Sequence, residues 1–194
     1  MPQHRSEETR ARILDAALRK FAIEGYDAAS VDDICSEAGV SKGAFYHHFS
    51  TKQSLFLALL DGWLTTVDMG LESIRQATVP QTLNHMTDLL PGIFATTDER
   101  LPMFLEFWLQ ASRDETVWQA TIAPYQHYQD HFAKLIEDGM AEGSIRTVDP
   151  KITARVIVSL AVGLFLQGVL DPHGADWGKV AKESMNILMQ GLAK

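Results

Sequence analysis

The chain has 194 residues, 46% of them hydrophobic and 22% charged, with a formal net charge of −8. That composition supports the packed core of one or two domains and excludes a disordered chain. The single cysteine, Cys35, excludes an internal disulfide framework and a cysteine-rich zinc site, and the acidic balance argues at first sight against a nucleic-acid partner. The acid is unevenly spread, however. Residues 1–55 hold seven Lys/Arg against eight Asp/Glu, and residues 56–194 hold ten against seventeen. The opening residues lack the apolar run of a secretory signal. The most apolar stretch, Val156 to Leu170, is about 15 residues where a membrane span needs roughly 20. A soluble, cytoplasmic protein with no membrane partner is expected.

Apolar spacing is helical almost throughout, with no sustained alternation of the strand kind. Ile13, Leu14, Ala17, Leu18 and Phe21 share one face of a first helix, with Arg10, Arg12, Arg19 and Lys20 off it; Gly25 is placed to end it in a left-handed cap. Ser30 with Asp33 opens a short helix carrying Val31, Ile34 and Cys35, which Gly39 ends. Ser41 caps a second short helix from Lys42 to about His48. Thr51 caps a long helix through Leu55, Phe56, Leu60 and Trp63 towards Arg75. Pro80 marks a break, followed by a helix from about Gln81 to Ala95 with a kink expected at Pro91. Thr97, Asp98 and Pro102 open an apolar helix through Phe104, Phe107, Trp108 and Leu109. The next runs from about Asp114 to Ala141, with a bend or break expected at Pro124, and Gly143 stops it. Asp149-Pro150 is an N-cap with proline at the first helical position, opening a helix to about Leu170 that Asp171 to Gly174 closes. A last helix carries Trp177, Val180, Met185, Leu188 and Met189.

Residues 31–48 are two short helices separated by Ala38-Gly39-Val40-Ser41, the spacing of a helix-turn-helix that sets its second helix across the first. That second helix is polar and aromatic, with Tyr46, His47 and His48 together on so few residues. The ordered string Ile13-Leu14-Asp15-Ala16-Ala17, Phe21, Gly25-Tyr26, Ser30-Val31-Asp32-Asp33-Ile34, Glu37 through Phe49, and Thr51-Lys52 with Leu55 closely resembles the tetracycline-repressor (TetR) family. The resemblance covers roughly the first quarter of the chain.

It implies an all-α fold: a three-helix, helix-turn-helix DNA-binding domain over residues 1–52, and a larger helical effector-binding and dimerisation domain over 53–194, about nine helices in all. It also implies a ligand-responsive transcriptional regulator, a repressor that a small molecule releases from its operator; an activator, or a helical interaction module without DNA binding, are the alternatives. Carried across position by position, Ser30 and Lys52 match phosphate contacts, and Ser41, Lys42 and Gly43 match the cap and start of the recognition helix. Tyr46 and His47 match contacts to phosphate or base, while Ala44 lacks the hydroxyl that many relatives carry there. Few cationic residues imply few phosphate contacts per chain, hence dimeric binding to palindromic double-stranded DNA.

Large aromatic side chains recur on consecutive helices: Trp63, Phe94, Phe104, Phe107, Trp108, Trp118, Tyr125 and Tyr128. The resemblance makes these helices the walls of the effector cavity, so with Gln167, and with Gln110, Gln126 and His127 as orienting groups, these side chains are expected to line a pocket for an apolar or aromatic molecule. Aromatic rings also suit a cation, for which Glu106 is a counter-charge. The resemblance makes the last two helices a four-helix dimer interface, with Ile157, Leu160, Leu164, Phe165, Met185, Leu188 and Met189 as its apolar residues. His127 and His131 have a spacing that can hold a metal, yet no carboxylate or cysteine is paired with them; neither metal nor cofactor is expected. No nucleophile elbow, dinucleotide or phosphate loop, or metalloprotease signature occurs, so no enzyme activity is expected.

Overall fold

The computed structural model describes residues 2–73, 76, 78–86 and 100–193. The helices are α1 Pro2–Glu24, α2 Val31–Ala38, α3 Lys42–His48, α4 Lys52–Ser73, α5 (residues 79–86 described), α6 Arg100–Ala111, α7 Glu115–Glu142, α8 Pro150–Leu170 and α9 Trp177–Leu192. Among the described residues there is no strand, only an isolated antiparallel bridge between Ile145 and Ala193. The all-α expectation holds.

Local chemistry sets most boundaries. The left-handed backbone at Gly25, Gly39 and Gly143 ends α1, α2 and α7. Ser30 and Asp33 form a reciprocal capping box at α2. The Ser41 and Asp149 side chains accept the Ala44 and Ile152 N–H groups at 3.2 and 3.0 Å, and Pro150 follows directly. Thr51 and Ser54 exchange backbone-to-hydroxyl bonds of 3.0 and 3.1 Å at the start of α4.

Two expectations change. Pro80 sits inside the first turn of α5 instead of before it: Thr78 caps the helix, its carbonyl accepting the Thr82 N–H at 3.0 Å. A proline is tolerated there because its missing N–H would have had no partner. Pro124 neither breaks nor ends α7, which runs unbroken for 28 residues. An interior proline costs about 3 kcal/mol, and burial on both sides of it, by Val117 before and Phe132, Ala133 and Ile136 after, offsets that cost. The expected kink at Pro91 and the helix start at Thr97-Asp98 lie outside the described residues, as does Arg75.

Packing divides the chain into two units, Met1–Thr66 with Asp98–Thr121, and Val67–Thr97 with Ile122–Lys194. In the first, Ile13, Ala17 and Phe21 of α1 meet Ile34, Phe45, Leu55, Phe56 and, from α6, Met103 and Phe107. In the second, Val79, Leu83, Phe132, Ile136, Ile145, Ile157, Met185 and Leu192 form the core. Gly139 is required there, because a Cβ would stand 2.7 Å from Ile145 Cδ1. The segment after α7 is pinned to the chain end: Arg146 N–H donates to Leu192 O at 2.9 Å. Helices α4 and α8 are long and apolar enough to cross a membrane by length and composition. Each nevertheless supplies core residues, Leu55, Phe56 and Leu60 from α4 and Ile157, Val158 and Leu164 from α8.

Candidate nucleic-acid interface

The position of α3 follows from its two ends and one buried side. At the turn, Gly39 has φ +62°, and the Gly39 and Val40 N–H groups return to Ser36 O and Cys35 O at 3.2 and 3.0 Å. Phe45 is fully buried and packs on Phe49 at 6.0 Å between ring centroids, holding the inner face of α3 on the core. Lys42, Gly43, Tyr46 and His47 are then exposed, Tyr46 at 55%, while Ala44 is half-buried. Cys35 is buried, and burial raises its thiol pKa, which keeps it protonated and suits a packing role.

Several expected donors already have partners. The Ser30 hydroxyl and backbone N–H both donate to Asp33 Oδ2, the N–H at 3.3 Å, and these two bonds hold the Asp33 carboxyl below the usual aspartate range. Lys42 Nζ lies 2.7 Å from Asp32 Oδ1, and that bond raises the lysine pKa. Lys52 Nζ donates to the carbonyls of Tyr26, Ala29 and Asp27 at 2.7, 3.0 and 3.4 Å and sits 4.5 Å from the Tyr26 ring centroid. Its geometry braces the α1–α2 loop. Arg19 bonds Glu37 and Asp15 at 2.6 and 2.5 Å, and Lys20 bonds Glu24 at 2.7 Å.

Among the described residues, Arg5, Arg10 and Arg12 form no ion pair. Arg10 lies 5.3 Å over the Phe49 ring, at the end of α3. Arg12 reaches the turn before α3, where a Cβ on Gly39 would be 3.9 Å from its Nη1. Sequence reasoning placed both on the polar face of α1 and missed that this face borders the helix-turn-helix. Burial, together with the neighbouring His47 and Arg10, lowers the His48 pKa.

The expected aromatic lining is drawn from both units. Trp63 and Phe107 belong to the core of the first unit, Phe107 buried against Phe56 at 5.0 Å, and Trp108 and Trp118 of that unit are exposed. Tyr125 and Tyr128 pack on the core of the second unit, and Gln167 is exposed with its amide on Gly163 O. The Tyr128 hydroxyl is buried with the Asp68 carboxylate beside it; burial first, and that carboxylate with it, push its pKa well above the ordinary phenol value. Phe94 and the Phe104 side chain lie outside the described residues. Glu106 is engaged elsewhere, accepting from the Tyr26 N–H and the buried Gln110 amide.

On α8 and α9, Ile157, Leu164, Met185 and Met189 are buried within the second unit, and Leu160, Phe165 and Leu188 are half-buried. Several of them border a small apolar cleft of about 40 Å³ with Met86 and Phe132. The outward apolar residues are a different set: Ile152, Val156, Leu166 and Leu170 of α8 and Ile187 of α9. His127 and His131 stay exposed beside Tyr128 and Phe132. Among the described residues no group of three or more His, Cys, Asp or Glu gathers as a metal site.

Comparison with known proteins bears on this geometry. Residues 13–59 match the family model for bacterial regulatory proteins of the tetR family, and residues 84–190 match that for the C-terminal domain of BetI-type transcriptional repressors. The A-factor receptor protein of Streptomyces griseus is 30% identical over 189 residues, covering 96% of this chain and 64% of that protein. The transcriptional regulator AcrR of Shigella flexneri is 28% identical, covering 95% and 89%. Among solved structures, a TetR transcription regulator from Haloarcula marismortui has a TM-score of 0.85 at 19% identity over 97% and 100% of the two chains. A Saccharomonospora viridis protein described as a transcriptional regulator, in complex with choline, has 0.83 at 22% over 97% and 99%. With its matched helix-turn-helix and its matched C-terminal half, the chain belongs to the TetR family of DNA-binding transcriptional regulators.

Proposed function

We propose that the chain is a cytoplasmic homodimeric repressor that binds a palindromic operator and leaves it when a small apolar or aromatic effector binds. The observation that carries this reading is the outer face of α3, where Lys42, Gly43, Tyr46 and His47 stand exposed on a helix anchored by the buried Phe45. In this reading Tyr46, His47 and the Ala44 methyl read base edges or a thymine methyl. Ser30, Ser41 and Lys42 fix register at the backbone, Lys52 braces the loop before α2, and Arg10 and Arg12 add phosphate contacts at the two ends of α3. Residues 1–52 are the DNA-reading part, and 53–194 bind effector and partner.

The outward apolar residues of α8 and α9 support pairing of two chains, which would set two recognition helices roughly 34–36 Å apart, one DNA turn. The buried Tyr128 hydroxyl, with the Asp68 carboxylate beside it and Tyr125 in the same unit, supports a polar effector contact there. Choline in the Saccharomonospora viridis neighbour makes a compact cation the first class to try. An effector weakens DNA binding only by as much as it prefers the state that does not fit the operator.

Two measurements test this. Purified protein mixed with fragments of its own genome should enrich a short palindrome; enrichment without dyad symmetry, or none, overturns the reading. Choline and aromatic cations should then be screened for a raised melting temperature and for release of that palindrome.

A further inference from the structure

Asp32 and Lys42 stand on successive helices and face each other at 2.7 Å, both well exposed. Asp32 is in the first turn of α2, where the capping work belongs to its neighbour: Asp33 alone closes the box with Ser30. The Asp32 carboxylate is therefore free of any cap, and its partner is the cation that begins the recognition helix.

The charge around this pair is sparse. Residues 1–55 carry only seven Lys/Arg. Arg19 and Lys20 are bonded to acids, and the Lys52 ammonium is turned onto three carbonyls. Lys42 is the cation on the outer face of α3 itself, and it too is matched by an acid.

Resting on the reading of α3 as the helix that enters the groove, we infer that Asp32 is a built-in competitor of the DNA backbone, a substitute for a phosphate that keeps Lys42 neutralised until a cognate site displaces it. Contact with arbitrary duplex is almost wholly electrostatic and gains one released counterion for each phosphate neutralised. A lysine already paired to a carboxylate gains nothing there, because the ion pair is lost as the phosphate contact forms. On a cognate site, α3 is seated deeply enough by its base contacts to hold Lys42 against the backbone, and the exchange goes forward. The pair thus lowers affinity for both duplexes: random sequence forgoes a contact worth no more than the pair, and the operator loses the full value of the pair that its contact must break.

The test compares wild type with D32N, K42Q and the double variant. The probes are a duplex of the palindrome that the genomic selection enriches and a random-sequence duplex of equal length, over a series of salt concentrations. Asp32 is exposed and caps nothing, so D32N should keep the wild-type circular dichroism, with a melting temperature lowered by no more than the loss of one exposed ion pair and one first-turn acid. On random duplex D32N should bind about two- to five-fold more tightly, the range of an exposed ion pair, with a salt slope steeper by about 0.9. The operator affinity should rise at least as much, with little change in its salt slope, because there the wild type already makes the contact. In the K42Q background, D32N should change neither affinity nor slope beyond a residual repulsion smaller than the single-variant gain. Unchanged operator binding by D32N overturns the inference, and so does a rise on random duplex that exceeds the rise on the operator. A gain that persists in full without Lys42 also overturns it, because Asp32 would then act by repelling phosphates directly. Wild-type selection of a palindrome is unaffected by any of these results, so failure here leaves the proposed function standing.

Discussion

Glu106 on α6 accepts the backbone N–H of Tyr26 at 3.0 Å, joining positions 80 residues apart in the chain. The same oxygen accepts the amide of Gln110, which is buried, at 2.9 Å. One residue on, Asp27 faces Arg113 at 3.5 Å, and from the other side Lys52 collects the carbonyls of Tyr26, Asp27 and Ala29. The loop that sets where α2 begins is therefore fastened by side chains of both α4 and α6. This is the physical reason that α6, distant in sequence, packs in one unit with the helix-turn-helix.

Removing that fastening should be measurable. A hydrogen bond to a charged group contributes about 1.5–3 kcal/mol, and E106A also strands the buried Gln110 amide. We predict that E106A lowers unfolding stability within that range, read from urea titration, and that E106Q, which keeps an acceptor for the Tyr26 N–H, loses less than half as much. Equal losses in the two variants would mean that the acceptor geometry is not what matters.

Lys52 separates bracing from direct contact. As a brace, its ammonium stays on three carbonyls when DNA binds, and K52M should destabilise the fold and weaken operator binding while leaving the salt slope unaltered. As a phosphate contact it adds one counterion to the release, and K52M should flatten the slope by about 0.9. The geometry favours the first outcome, and salt-dependent binding of the variant decides between them.

How far the sequence could be read depends on what each residue's partner is. Caps, turns and helix spacing are local, so Gly25, Gly39, Ser30, Ser41, Thr51 and Asp149 announce their roles within four residues. The groove-facing side of α3 is legible for the same reason. Pairing across helices is not local: nothing in the spacing of Asp32, Glu106 or Arg10 tells that they meet Lys42, Tyr26 and Phe49. Helix α8 resists reading in another way. Apolar on nearly every side, it offers no hydrophobic stripe whose direction could be chosen, and only packing tells that Ile157 and Leu164 turn inward while Ile152 and Leu170 turn out. At Pro124 the break does not occur, because the helix on either side is held by burial that no window of sequence displays.

The capping box gives a prediction in pH. The Ser30 hydroxyl and then its N–H hold the Asp33 carboxyl below its ordinary pKa of 3.8. The folded state thus binds this proton less readily than the unfolded chain, so the stabilisation is whole above about pH 5 and is lost as pH falls through 3.8 and on to the lower folded value. In D33N the charge is gone at every pH. The gap in melting temperature between wild type and D33N should therefore be constant near neutrality and close on acidification below 3.8; a gap unchanged in strong acid would assign the stabilisation to something other than the carboxylate.

The outward side of α8 gives the last. Ile152, Val156, Ser159, Gly163, Leu166 and Leu170 recur at intervals of four and three, the seam of a helix that packs against another at close range. Around Gly163 nothing lies within 4 Å of where a Cβ would stand, and Ile187 of α9 is 71% exposed, as is Leu170. Such residues are costly to leave in water and cheap to mutate without disturbing the fold of a single chain. In a symmetric pair each substitution appears twice, and an unpaired carboxylate in a covered interface costs several kcal/mol. We predict that L170E and I187E each weaken self-association by at least about 100-fold, on the order of 3 kcal/mol, while far-ultraviolet circular dichroism stays as in the wild type. Operator binding should fall in parallel, because a single chain presents one recognition helix where the palindrome offers two half-sites. Sedimentation velocity over a dilution series reads the association directly. Dimers that persist in both variants at wild-type strength would show that this face is not where two chains meet, and would return the role to the half-buried Leu160, Phe165 and Leu188.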